Sequence, residues 1–139
     1  MAVYAATQTE TGRLVFNTDR AGIQRPADLD RLSYGGCGSD WESAHQHHHP
    51  PRRRGGAFET ITLGTSAYEA LANGAVDFTL EFDIREGVKA ELDGKAQRAF
   101  RYSDFGVPDE HTTLIGTSRS YLDANSATAA AFIAATQRG

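Results

Sequence analysis

Residues Val76 to Asp83 read Val-Asp-Phe-Thr-Leu-Glu-Phe-Asp, with apolar and polar residues taking strict turns. Side chains of an extended strand point alternately to opposite faces, so a period of two marks a strand with one face on a core and the other toward water. A helix does not accommodate it. The chain must build a sheet, and the segments flanking this strand decide which kind.

On both sides the pattern changes to helix signals. Ser66-Ala67-Tyr68-Glu69 has capping-box spacing, Leu71 continues the segment and Gly74 suits its C-terminal stop, which predicts a helix over 66–73. After the strand, Ile84, Val88, Glu91 and Leu92 fit a short helix closed by Gly94. Short strands are expected at Val3–Ala6, Leu14–Phe16, Leu32–Tyr34, Phe58–Leu63, Ala99–Tyr102 and Thr112–Gly116, with a short helical turn in the segment ending Arg25-Pro26-Ala27-Asp28-Leu29. Ser39 and Glu42 predict a helix near 39–45, and Ser126 is the expected cap of an Ala-rich helix reaching Gln137, with Phe132 and Ile133 as its bulky anchors. Helices alternating with strands predict an α/β fold with a central mixed, largely parallel sheet flanked by helices.

At 139 residues the chain has the size of one domain. Hydrophobic residues make up 40% and charged residues 23%, which excludes a chain kept disordered by charge excess. A net charge of −4 argues against a general nucleic-acid binder, and the Arg52-Arg53-Arg54 run lacks the basic surround that would release many counterions. A single cysteine, Cys37, cannot make an internal disulfide or a Cys-rich zinc site. No stretch approaches the roughly 18 apolar residues of a membrane span, and no basic region followed by an apolar one opens the chain, so a soluble chain carrying no signal peptide is expected.

One segment stands apart. His45 to Gly56 is low in complexity and has almost nothing to bury, and its Pro50-Pro51 pair ends any helix begun at Ser39, so 45–56 is expected to be a mobile loop. His45 and His49 share one helical face and are a weak metal alternative, but Pro50 truncates that face and no third ligand is evident. Neither metal nor cofactor is expected.

Five stretches taken together resemble one family. Gly22-Ile23-Gln24-Arg25-Pro26-Ala27-Asp28-Leu29, Tyr34-Gly35-Gly36-Cys37-Gly38-Ser39, Val76 to Phe82, Glu86-Gly87-Val88-Lys89-Ala90-Glu91-Leu92 and Phe100 to Asp109 are similar in order and spacing to solute-binding proteins of ABC transporters, in the branch that binds thiamine pyrimidine precursors. The resemblance implies the type 2 periplasmic-binding-protein fold, in which two α/β lobes close on a solute. It covers mainly the second lobe, so 1–139 is expected to be one lobe with flanking inter-lobe crossovers, the first lobe and the export signal belonging before Met1. By the same resemblance the location is periplasmic or otherwise extracytoplasmic and membrane-associated, and the partners are a pyrimidine-like solute such as hydroxymethylpyrimidine or its formylamino relative, and a transporter permease. Hinge surface around 1–20 and 112–133, left uncovered, favours self-association.

The sequence departs from the family at three places. Residues 45–56 replace an apolar helix with a run of the kind that an out-of-frame reading gives, Arg85 stands where a Trp precedes the Glu-Gly pair, and Glu110-His111 replaces an aromatic pair. A degenerate fragment without a ligand, and a fragment of a pyrimidine-precursor synthase that shares the fold, therefore remain as alternatives. The cysteine-rich iron motif of that synthase is not present, and no nucleophile with a paired base is evident, so no enzymatic activity is expected.

The candidate ligand-binding residues are Gly36, Gly38, Ser39, Phe82, Arg85, Glu86 and Tyr102. A glycine loop before a helix start offers backbone N–H donors to a polar or anionic group, and equally serves as a plain strand-to-helix turn. Glu86 follows the best strand, where open α/β sheets place ligands, and its carboxylate can accept from an aminopyrimidine edge. Phe82 and Tyr102 can stack on a ring or sit in the core, and Arg85 can replace a stacking ring by its planar guanidinium or remain solvated.

Overall fold

The computed structural model describes residues 1–38, 58–109, 111 and 113–138. The expected helix near 39–45 and loop 45–56, with Ser39, His45 and His49, lie outside the described residues. The chain divides into two compact units, Thr11–Pro108 and a smaller one made of Met1–Glu10 with Asp109–Gly139.

The larger unit is built on a five-stranded sheet of β2 (Gly12–Asn17), β3 (Ser33–Gly36), β4 (Glu59–Thr62), β5 (Phe78–Phe82) and β6 (Gln97–Arg101), in the order β4-β3-β5-β2-β6. β3 pairs in parallel with β4 and β5, whereas β2 is antiparallel to both β5 and β6. It follows that β3, β4, β5 and β6 all run one way and β2 alone runs against them. The sheet is mixed and largely parallel in direction, as the alternation of helices and strands implies.

Each face of this sheet has its own core. Phe16, Phe78, Tyr34 and Phe100 gather with Ile23 and Leu29 on one side, with ring centroids 5.0 Å apart for Phe16–Phe100 and 5.1 Å for Tyr34–Phe78. Such tilted ring pairs add to the area they bury. Val15, Leu71 and Val76 form the core of the opposite face, where helix α1 (Ala67–Ala72) packs. Gly35 permits that approach, because a Cβ there would stand 3.0 Å from Val76 Cγ2 and 3.4 Å from Ala67 Cβ.

A core on each face corrects the reading of the alternating strand. Thr79 and Glu81 are 0% and 1% exposed, so β5 is buried on both sides instead of half-buried. Thr79 satisfies its hydroxyl by donating to the Gly35 carbonyl at 2.6 Å. Ser66 also departs from expectation: a short 3-10 turn, Gly64–Ser66, precedes α1, and the Ser66 side chain makes no capping bond. Gly74, at φ 73°, closes α1 as expected.

Asp77 ties the starts of β3 and β5 together. Its Oδ2 accepts from the Ser33 N–H and Oγ–H, both at 2.8 Å, its own N–H donates to the Ser33 carbonyl at 2.9 Å, and Arg20 pairs with Oδ1. Burial raises its pKa, but the Ser33 bonds and the Arg20 charge outweigh that and hold the carboxyl below its ordinary range.

The smaller unit pairs β1 (Ala2–Ala5) antiparallel with β7 (Leu114–Gly116) and adds helices α3 (Arg119–Ala124) and α4 (Ser126–Thr136). Ser118 caps α3 by accepting from the Tyr121 N–H at 3.1 Å. Asn125, not Ser126, stands at the cap of α4, and its side chain instead donates to the Tyr121 carbonyl of the preceding helix at 3.2 Å. Leu114, Tyr121 and Phe132 are about half exposed. The Glu10 N–H donates to Asp109 Oδ1 at 2.5 Å, which joins the two chain segments where this unit ends. Among the described residues no helix is long and apolar enough to cross a membrane.

Candidate functional site

Because β3, β5 and β6 run in one direction, their carboxyl ends share one edge of the sheet. Gly36 is the last residue of β3, Phe82 the last of β5, and Tyr102 the first beyond β6. Gly35 lies opposite Thr79, and Glu81 and Arg101 both lie opposite Arg13, so Gly36–Gly38, Phe82–Gly87 and Tyr102 are brought together at this edge. It is the edge at which open α/β sheets bind ligands, since the loops that follow the strands meet there.

Each predicted residue takes a defined place. Gly36 is buried and Gly38 has φ 132°, a backbone state that L side chains rarely adopt. Cys37 between them is exposed. Phe82 and Glu86 are half-buried, Arg85 is exposed, and Tyr102 is buried at the start of a 3-10 turn, Tyr102–Phe105. Gly36, Gly38, Phe82, Arg85, Glu86 and Tyr102 thus lie at or just beyond strand ends on one side of the sheet, while Ser39, His45 and His49 lie outside the described residues. Among the described residues no group of three or more His, Cys, Asp or Glu side chains is arranged to hold a metal ion.

After β5 the chain makes one wide turn of π-helix, Asp83–Gly87, and continues as α2 (Val88–Leu92). Glu86 closes this turn on itself: its Oε2 accepts from the Phe82 N–H at 3.1 Å, while Oε1 lies 3.3 Å from Arg85 Nη2. Asp83 anchors the front of the turn by accepting from Arg101 Nη2 at 2.9 Å, and its N–H donates to the Thr11 carbonyl at 2.9 Å. The carboxylate of Glu86 is therefore held at the strand end with its Oε1 edge toward Arg85. That arrangement suits an acceptor for a ligand N–H beside a planar cation.

Beneath the turn lies a pair that the sequence pattern hid. Arg13 Nε donates to Glu81 Oε1 at 2.6 Å, and Glu81 is 1% exposed. Burial pushes the Glu81 carboxyl above its ordinary range, against the pull of Arg13. Reading β5 as half-buried placed Glu81 in water, and the available signal was the arginine at a matching position of a neighbouring strand.

A family model described as NMT1/THI5 like matches residues 1–139. The chain belongs to the NMT1/THI5-like family. Solved structures similar to this NMT1/THI5-like chain include a protein of Bordetella bronchiseptica RB50, at 18% identity and TM-score 0.63, covering 99% of this chain and 46% of that one. A Salmonella typhimurium periplasmic binding protein with high arginine specificity has 15% identity and TM-score 0.63, covering 99% and 58%. The arginine-, lysine-, histidine-binding protein ArtJ of Geobacillus stearothermophilus has 15% identity and TM-score 0.59, covering 91% and 54%. At these identities the likeness is one of fold: a single lobe of the periplasmic-binding-protein type. The chain spans about half the length of these structures. No curated protein matches it.

Proposed function

We propose that this NMT1/THI5-like chain is one wall of an extracytoplasmic solute-binding protein of an ABC importer, taking a small nitrogenous solute of the thiamine pyrimidine-precursor kind at the edge formed by Gly36–Gly38, Phe82–Gly87 and Tyr102. The observation that carries this reading is the convergence of those three segments at one carboxyl edge. Backbone N–H groups of the glycine loop, the Glu86 carboxylate and the Arg85 plane supply a donor, an acceptor and a flat cationic surface for a heteroaromatic ring. On this reading the chain binds and does not catalyse, and its macromolecular partner is the transporter permease. Residues 1–10 and 109–138 are the segments that lead toward a second lobe, and their exposed Leu114, Tyr121 and Phe132 favour self-association when that lobe is absent.

A single wall leaves much of a ligand in water, so affinity for hydroxymethylpyrimidine is expected near millimolar, about 4 kcal/mol. NMR titration with hydroxymethylpyrimidine tests the reading, with shifts expected at residues 36–38 and 82–87 and weakened binding in Glu86→Gln. L-Arginine is the control, because two of the similar proteins bind arginine. Shifts produced by arginine and not by the pyrimidine would move the solute class to amino acids, and no shifts from either would leave the chain a fragment without a ligand. A clean monomer by light scattering at high concentration would remove the self-association.

A further inference from the structure

Arg13, Glu81 and Gly87 are stacked at the carboxyl end of β5. The buried Glu81 engages Arg13 through Oε1, and its Oε2 is buried with no hydrogen-bond partner among the described residues. A carboxylate so enclosed depends on Arg13 for its compensation, and in return it fixes the guanidinium in one place. Gly87 lies directly against that guanidinium. Its φ of −63° and ψ of −47° suit every L residue, so the glycine answers no conformational need. The need is spatial: a Cβ at Gly87 would stand 2.5 Å from Arg13 Nη2 and 3.3 Å from Glu81 Oε1.

We infer that Arg13 and Glu81 are positioning residues for the Asp83–Gly87 turn, the carboxylate fixing the guanidinium, the guanidinium supporting the Gly87 backbone, and the supported turn presenting Glu86 at the strand end. The geometry is complete without a ligand, but its purpose rests on the proposed ligand edge. Two neighbours brace the same turn from other sides, Arg101 through Asp83 and the Phe82 N–H through Glu86, so the Arg13 stack supplies the support from beneath. A buried ion pair kept only for stability would act on the whole sheet; this one acts on five residues.

The test uses the full chain with Glu81→Gln, Gly87→Ala and the double variant, read by amide hydrogen exchange and by NMR titration with hydroxymethylpyrimidine. Gln keeps the shape and loses the charge that fixes Arg13, whereas the Ala methyl chiefly displaces the guanidinium, crowds Glu81 Oε1 and keeps the carboxylate charge. Each single variant is expected to speed exchange at 83–87 by about tenfold while α1 stays within about twofold, and to weaken pyrimidine binding about tenfold with Glu86 untouched. The double variant is expected to fall short of the product of the two effects, because both loosen one stack. Exchange rising equally across the sheet, unchanged exchange at 83–87, or full multiplicative effects would overturn the inference, as would local loosening with undiminished affinity. If Glu81→Gln does not fold, Gly87→Ala carries the same readouts alone. Should the unaltered chain bind no pyrimidine, the ligand reading falls, and the exchange results still decide whether the stack holds the turn.

Discussion

Removing the Asp77 carboxylate should loosen the junction of β3 and β5 by an amount the contacts allow to be worked out. Two donors converge on its Oδ2, the Ser33 N–H and Oγ–H at 2.8 Å, and Arg20 pairs with Oδ1. Hydrogen bonds to a charged acceptor contribute about 1.5–3 kcal/mol each, but the Ser33 hydroxyl can turn to water and Arg20 is already partly solvated. The N–H of Ser33 is the group left without a partner, so Asp77→Ala is expected to cost about 2–3 kcal/mol at pH 7. Asp77→Asn, which keeps one carbonyl for Ser33, should cost about 1 kcal/mol. The folded-state pKa of Asp77 is held below its ordinary 3.8. A group so depressed stabilises the fold above its unfolded pKa and loses that contribution as pH falls through the folded value. The gap between the unaltered chain and Asp77→Asn should therefore be full at pH 7 and shrink progressively below pH 3.8. Urea unfolding followed by circular dichroism at neutral and acidic pH measures both. An Asp77→Ala loss below about 0.5 kcal/mol, or an Asn gap that does not change with pH, would refute the reasoning.

Other substitutions test separate parts of the fold. Gly35→Ala must push Val76 or α1 away from the sheet and should cost about 1–3 kcal/mol by chemical denaturation, with faster exchange in α1. Phe78→Ala removes a 1% exposed ring that meets Tyr34 and Phe58, and a loss of about 3–5 kcal/mol is expected from the same assay. Gly106 has φ 82°, so Gly106→Ala should cost about 1 kcal/mol with no space conflict, since no atom would lie within 4 Å of the new Cβ. An unchanged midpoint for Gly106→Ala would show that the turn after Phe105 adjusts its backbone without strain.

Elements with a strong local signature were legible in the residues. The strand at 78–82 follows from strict alternation, α1 ends at Gly74, and the short helix after 88 ends at Gly94, because period and glycine punctuation are local properties. The opposite sense of β2 was not legible, since strand direction depends on partners far along the chain. The burial of Glu81 was hidden for a related reason: alternation reports that two faces differ, and α1 covering the polar face is a long-range event. Helix α3 was missed because Arg119–Ala124 carries no apolar period, only a Ser118 cap. At the site, the glycine loop and the turn after β5 stand out through the family resemblance, while Arg13 carries no local signal because its contacts are with a cross-strand partner and a glycine 74 positions away.

The reversed direction of β2 has a consequence for how such a chain is put together. Running against its neighbours, β2 begins at the same edge where β6 ends, and Glu10 and Asp109 are joined by a hydrogen bond just outside the larger unit. Residues 11–108 therefore enter and leave through one doorway. A segment with adjoining ends can be excised, transplanted or inserted into a surface loop of another protein with little disturbance to either party. The α/β unit is in this sense a cassette, and its antiparallel strand is what brings the two cut sites together.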